Sequence, residues 1–348
     1  MDSFISPSKR AGTNLLPPIA TGRSRRISAR FPASRSLINV PEKKNSTYRD
    51  KTYKSISPMN MKPKIKLKET RPTIFTLQNL TLGTLLGEGK TSRVLRAAVG
   101  SQEFAVKIMP MAEKKYFEIE WEILEKLNSP FIVKGHGKLD DTQNNYLLLE
   151  LVEGGDLFQL MRKRRLRINE IAFIAAEVVV ALNYLHDNGI IYRDIKPENI
   201  MLDSNKHIKL VDFGYSKIIS DERPSTVCGS PEYAAPEMLR RQGYSFSVDW
   251  WGLGILLYEL ACGHPPFQGE NFKDISQNII HGELVFTRQV DPQCKDLIRK
   301  LLNPEPQARL GCLKNKVEDI KHHKFFRGFN WEAIAERRLP SPINIVEN

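Results

Sequence analysis

The rhythm of hydrophobic positions along this 348-residue chain changes near residue 76. Before it, single apolar residues are scattered among Ser, Pro, Arg and Lys with no helical or alternating period, which predicts a disordered leader over 1–75. After it, FTLQNLTLGTLL, RVLRAAV and EFAVKIM read as strands. The VGSQ between the last two predicts a hairpin turn with Gly100 at positive φ. EKKYFEIEWEILEKLN predicts an amphipathic helix with Tyr116, Ile119, Ile123, Leu124 and Leu127 on one side. NYLLLELVEGGDLF predicts a strand and then a glycine-marked hinge, and INEIAFIAAEVVVALNYLHDNG a helix stopped by Asn188-Gly189. VDWWGLGILLYELACG is apolar almost all round, so it predicts a helix buried on every side. A small strand-rich half (76–153) followed by a larger, mostly helical half (154–328) and a short C-terminal extension (329–348) predicts an α+β, two-lobed fold with a cleft at the hinge.

Composition adds constraints. Hydrophobic content of 41% and charged content of 26% are ordinary for a globular chain. No run of eighteen apolar residues occurs, so IAFIAAEVVVALNYLH reads as a buried helix and not as a membrane span. MDSFISPSKR carries no apolar secretory stretch, and Asp2 stands where N-myristoylation requires glycine. The four cysteines, Cys228, Cys262, Cys294 and Cys312, are widely spaced and predict reduced thiols, hence a cytoplasmic protein with nuclear access open to it. The net charge of +12 belongs to the leader: residues 1–70 hold 16 Lys/Arg against 4 Asp/Glu, and the remaining 36 of each sign balance. The folded part therefore offers no basic cleft, and nucleic acid is not an expected partner. MKPKIKLK in the leader and MRKRRLR at 161–167 read first as solvated basic segments.

The chemistry begins at LLGEGKTSRVLRA, where Gly87 and Gly89 are followed by Ser92 in the place of a third glycine. A strand follows, so the loop reads as a flap between two strands whose backbone N–H groups approach phosphates closely. In FAVKI, Lys107 sits inside an apolar strand and needs a partner. Glu118, Glu120 and Glu122 on the next helix are the candidates. The densest block is YRDIKPENIMLDSNKHIKLVDFGYSK, with Asp194 and Asn199 five apart and Asp-Phe-Gly at 212–214.

That block, with the glycine loop, Lys107 and Ala-Pro-Glu at 235–237 in the same order, resembles the protein kinase set over roughly residues 79–330. The resemblance implies ATP and Mg2+ and gives each matching residue a role. Gly87, Glu88, Gly89, Val94, Ala105 and Met201 would line the nucleotide site. Backbone groups of Glu150 and Val152 would meet adenine, with Leu149 as gatekeeper. Lys107, held by Glu120, would bind the α- and β-phosphates, and Lys196 would contact the γ-phosphate. Asp194 would accept the substrate hydroxyl proton, Asn199 and Asp212 would hold magnesium, Glu237 would pair with Arg309, and Asp249 would brace the catalytic loop. Lys90 and Ser92 depart from the usual flap. Gly135 falls where the pattern carries a bulky apolar residue between the lobes, so a void is expected there.

YRDIKPEN, TVCGSPEYAAPEML, VDWWGLGILLYEL and FNWEAIAERRLPSP resemble the AGC group, and within it the catalytic domains of cyclic-nucleotide-dependent kinases. By that resemblance the chain is a serine/threonine kinase, the alternative being a nucleotide-binding pseudokinase scaffold. Asp156, Glu198 and Glu259 would bind arginines ahead of the target serine, because guanidinium forks pair well with carboxylates. Thr226 would be the activation-loop phosphosite, its phosphate facing Arg193 and Lys217. An upstream kinase or a regulatory subunit would be the controlling partner. RSRRISARF in the leader matches the same arginine preference, which marks Ser28 as a candidate for autophosphorylation.

Overall fold

The computed structural model describes residues 75–89, 91–219 and 223–344. The leader through residue 74, Ser28 with it, and Lys90 lie outside the described residues. Phe75, assigned to the leader from sequence, packs instead edge-on against Phe104 at 5.4 Å.

Five antiparallel strands form the first lobe: β1 (Leu80–Glu88), β2 (Arg93–Val99), β3 (Gln102–Pro110) and, after helix α1 (Lys114–Lys126), β4 (Gly135–Asp140) and β5 (Asn144–Leu149). Their order in the sheet is β1-β2-β3-β5-β4. The first strand starts only at Leu80, because Thr76 and Asn79 exchange backbone-to-side-chain hydrogen bonds and form a turn. Gly100 turns the β2–β3 hairpin at φ +61°. Alternation on β3 sends Phe104, Val106 and Ile108 to a small core with Leu95, Tyr146 and Leu148, while Ala105 and Met109 face the main core. Burying each of those large side chains is worth about 1.5–3 kcal/mol.

Burial along α1 differs from the predicted stripe. Its first turn, Tyr116 included, is exposed, and burial runs through Phe117, Glu120, Ile123 and Leu124. Periodicity alone locates the apolar arc but not the turn at which the helix meets the sheet.

The second lobe contains α2 (Leu157–Lys163), α3 (Ile168–Asp187), β6 (Ile190–Ile191), β7 (Ile200–Leu202), β8 (Ile208–Leu210), β9 (Lys217–Ile218), α4 (Pro236–Leu239), α5 (Ser247–Cys262), α6 (Phe272–His281), α7 (Pro292–Leu301), α8 (Val317–Lys321) and α9 (Trp331–Ala335). By length and composition α3 could cross a bilayer, but 72% of its most apolar window is buried within the protein. α5 is buried on all sides, as its unbroken apolar sequence predicts. Asn188 ends α3, with Gly189 at φ +72° behind it.

The C-terminal residues up to 344 pack onto this lobe. Ile343 is buried in the main core, and Arg337 forms an ion pair with Asp203. The basic run 161–167 is not merely solvated. Arg164 and Arg167 both bind the fully buried Glu170, and they donate to the carbonyls of Asn344 and Pro342. Burial opposes the charge on Glu170, yet the two arginines and the Arg167 N–H bring it down to about 2.

Candidate active site

β3 places Lys107 in the interior, and α1 brings Glu120 to it. The Lys107 ammonium lies 2.7 and 2.9 Å from the two Glu120 oxygens and 2.7 Å from Asp212 Oδ1. Among the three glutamates the sequence left open, Glu120 is the partner; Glu118 pairs with Lys138 and Glu122 with Lys126. Glu120 also accepts the Phe213 N–H at 3.2 Å, which ties α1 to the Asp-Phe-Gly segment. Burial works against the Lys107 charge, but Asp212 and Glu120 hold it above the usual lysine range. Asp212 stays below the usual aspartate range: burial would raise it, and the Lys107 ammonium overrides that.

The catalytic-loop residues sit opposite. Asp249, at the start of α5, accepts the Tyr192 and Arg193 N–H groups at 2.9 and 2.8 Å, and His186 Nε2 lies 2.8 Å away. Those contacts hold Arg193 at φ +69°, a costly conformation for a residue with a Cβ. Asp194 follows, buried to 1% exposure. Its Oδ2 takes the Lys196 ammonium at 2.9 Å and the Asn199 amide at 2.6 Å. Its Oδ1 is buried and has no hydrogen-bond partner among the described residues. Burial raises Asp194 above the usual aspartate range, against the pull of Lys196. Gly229, at φ +83°, lets the activation segment pass over this atom; a Cβ there would lie 2.7 Å from the Arg193 carbonyl and 3.2 Å from Asp194 Oδ1. Sequence reading did not single out Gly229, although its place in CGSPEY was a signal.

Between the lobes, Gly87, Glu88 and Val94 meet in the β1–β2 ladder, where Gly87 faces Val94 and Glu88 faces Arg93. The Gly89 N–H closes the turn onto the Ser92 carbonyl at 2.8 Å, so Ser92 shapes the flap through its backbone. Ala105 pairs with Leu149 across β3 and β5, and Met201 lies on β7, bridged to Asp156. In the hinge, the Glu150 N–H is taken up by the Lys134 carbonyl and its carboxylate by Lys209, leaving its carbonyl and the Val152 N–H for a ligand edge.

Magnesium fits two of these residues. Among the described residues Asp212 Oδ2 and Asn199 Oδ1 have no hydrogen-bond partner, and both are the hard oxygen donors this ion takes. Among the described residues no group of three or more His, Cys, Asp or Glu forms a metal cage, so such an ion would share its coordination with substrate phosphates.

The specificity candidates form an acidic cluster. Glu259 is buried and accepts the Tyr233 hydroxyl. Burial pushes it up to about 7; the tyrosine works against that rise, and Glu198 and Glu232 add to it. Asp156 has a second task that its sequence role did not reveal. It caps α2, accepting the Gln159 backbone N–H at 2.7 Å and the Gln159 side-chain amide at 2.9 Å. Thr226 is exposed. The Tyr244 hydroxyl donates to its carbonyl and accepts from Arg193, so Arg193 reaches Thr226 through one tyrosine. Lys217, the other expected partner, lies in β9 opposite Ile191.

A further structural pairing appears where the resemblance put it. Arg309, fully buried, binds Glu237 at 2.7 and 3.0 Å. The void expected at Gly135 does not exist, because the Trp121 ring and Leu124 of α1 fill that space.

Residues 80–326 match the protein kinase domain family. The chain is 40% identical over 281 residues to cAMP-dependent protein kinase catalytic subunit PRKX of Homo sapiens, covering 78% of each chain. It is 37% identical over 290 residues to cAMP-dependent protein kinase type 3 of Saccharomyces cerevisiae, covering 81% of this chain and 72% of that one. It is 43% identical over 278 residues to cGMP-dependent protein kinase 2 of Homo sapiens, covering 76% of this chain and 36% of that protein. The resemblance read from the motifs is thus carried by whole-domain similarity, and the chain belongs to the protein kinase family.

Proposed function

We propose that the chain is a serine/threonine protein kinase that transfers the γ-phosphate of ATP to serine or threonine preceded by arginines. The observation that carries this reading is Asp194: one oxygen is held by Lys196 and Asn199, and the other is buried, unpartnered and free to accept a proton. Adenine would lie between Val94 and Ala105 above and Met201 below, with its edge on the Glu150 carbonyl and the Val152 N–H. The backbone of 87–89 and Lys107 would hold the phosphates, and Lys196 would steady the one transferred. The substrate oxygen gives its proton to Asp194 and bonds to the γ-phosphorus as the bond to the β-phosphate oxygen breaks, releasing ADP. Such a transition state is loose and highly charged, so positioning and neutralisation supply most of the rate. Magnesium on Asp212 and Asn199 would neutralise phosphate charge. The scaffold alternative is disfavoured because Lys107, Asp194, Asn199 and Asp212 are all present and mutually engaged.

Arginine selection rests on the acidic cluster of Glu198, Glu259 and Asp156, and control by phosphorylation rests on the Arg193–Tyr244–Thr226 chain. An upstream kinase acting on Thr226, or a separate regulatory subunit, is the partner this arrangement implies. The four free cysteines suit a reducing, cytoplasmic setting. A randomised serine/threonine peptide library, phosphorylated with Mg-ATP, tests the reading: arginine at the second and third positions before the acceptor is expected. A preference for proline or acidic residues would overturn the arginine selectivity, and no transfer to any peptide would overturn the kinase itself.

A further inference from the structure

Lys107 and Glu120 meet only if α1 sits at one height and rotation against the sheet. Lys114, Lys115 and Tyr116 at its start are exposed and its N-cap residue, Glu113, makes no side-chain capping bond, whereas Phe117 and, at the C-cap, Leu127 are buried in the main core. A further anchor lies in its middle. Trp121, next to Glu120, lays its ring over Gly135 at the start of β4; a Cβ built on Gly135 would lie 3.3 Å from Trp121 Cζ3 and 3.2 Å from Leu124 Cβ. Those distances are shorter than ordinary carbon contacts, so the ring occupies the place a side chain at 135 would take. Gly135 in turn pairs with Leu149, and Leu149 with Ala105 of β3, two residues from Lys107. A continuous path of packed atoms therefore runs from the ring to the strand that carries the lysine. Lys138–Glu118, one turn earlier, is another α1–β4 tie, but both side chains are more than a third exposed, and such pairs contribute little.

We infer that Trp121 is a positioning residue for phosphoryl transfer, seated in the space that the missing side chain at Gly135 leaves open, and that this knob and socket help set α1 so that Glu120 reaches Lys107. The socket does not touch substrate; it acts through the Lys107–Glu120 pair. The inference rests on the kinase reading for its catalytic readout but has a second readout that does not need catalysis.

The test is an exchange of volume between the two positions. Gly135→Ala, Gly135→Leu, Trp121→Ala and the double variant Trp121→Ala/Gly135→Leu are compared with wild type for kcat and KM on one peptide, for amide hydrogen exchange across 117–124, and for Tm. Gly135→Leu and Trp121→Ala are each expected to lower kcat by about tenfold or more, because small misplacements of reacting groups are costly, while peptide KM stays within about twofold. Gly135→Ala should fall between wild type and Gly135→Leu. In the single variants the α1 amides should exchange roughly tenfold faster, and the double variant should recover kcat and protection to within about threefold of wild type. Wild-type kcat and protection in the single variants, or losses that simply multiply in the double, would overturn the inference. Should Gly135→Leu fail to fold, Gly135→Ala and Trp121→Ala decide it by the same readouts. If wild type transferred no phosphate the kinase reading would fall, whereas the exchange data would still judge the socket.

Discussion

Glu259 keeps its proton up to about pH 7 because burial raises it and Glu198 and Glu232 add to the rise, with only the Tyr233 hydroxyl pulling the other way. Under the proposed arginine selectivity, a substrate arginine would pair with the ionised form, so protonation and arginine binding would compete. The preference for arginine at the second position before serine, taken as the ratio of kcat/KM for peptides with and without it, should fall toward tenfold per pH unit below about pH 7. Taking the ratio removes the titration of Asp194, which acts on both peptides alike. Glu259→Gln should leave a smaller ratio with a shallower pH dependence, because Glu198, also raised by burial, remains in the cluster; an unchanged slope in that variant would remove Glu259 from the arginine site. The same residue affects stability. Its folded value lies above the ordinary 4.5, so its contribution is full below about pH 4.5 and declines as pH rises to about 7. Thermal unfolding of Glu259→Gln should lack that decline. Thr226 makes a second residue-scale test. Thr226→Ala should lower activity by about tenfold or more, since a phosphate facing Arg193 would order the segment over Asp194. Full activity with Thr226 unmodified in the mass spectrum of wild type would contradict it.

At the scale of elements, Asp156 is both the cap of α2 and a member of the acidic cluster, and two substitutions separate the roles. Asp156→Asn keeps a capping oxygen and loses the charge, so it should weaken selection of arginine three before the serine with little change in Tm. Asp156→Ala loses both, and unfolding free energy should fall by about 1 kcal/mol in addition. Equal selectivity in Asp156→Asn and wild type would leave Asp156 as a cap only. α1 and the basic run at 161–167 mark where elements became illegible from sequence. Helical period found the apolar arc of α1 but missed Phe117 and included Tyr116, because the exposed first turn is decided by where β4 and β5 lie. Arg164 and Arg167 read as solvated because their carbonyl partners, Asn344 and Pro342, stand 180 and 175 residues further on. Gly135 stood out in the sequence as a departure, but its partner did not: Trp121 is ordinary alone, and their fit exists only once α1 packs on β4. By contrast, Lys107, Asp194, Asn199 and Asp212 were legible, because their spacing is itself the chemical pattern.

Across the whole molecule, the second lobe is pinned by charges that have no water to turn to. Arg309 has no exposed surface, and besides Glu237 it binds the Ser247 and Asn303 carbonyls and stacks on Trp251. Removing one partner strands the other, so Glu237→Ala should cost about 3–5 kcal/mol in denaturant unfolding. A loss under about 1 kcal/mol would mean the pair is not a structural anchor. In the proposed function the two lobes would serve one event, the meeting of Asp194 Oδ1 with a substrate hydroxyl beside a phosphate held from Lys107. The most direct measurement is γ-phosphate transfer by Asp194→Asn, made beside nucleotide affinity on the same protein. Loss of transfer by about 10²-fold or more, with ATP affinity within a few-fold of wild type, is the expected result. Transfer at the wild-type rate would contradict the assignment of Asp194 as the proton acceptor.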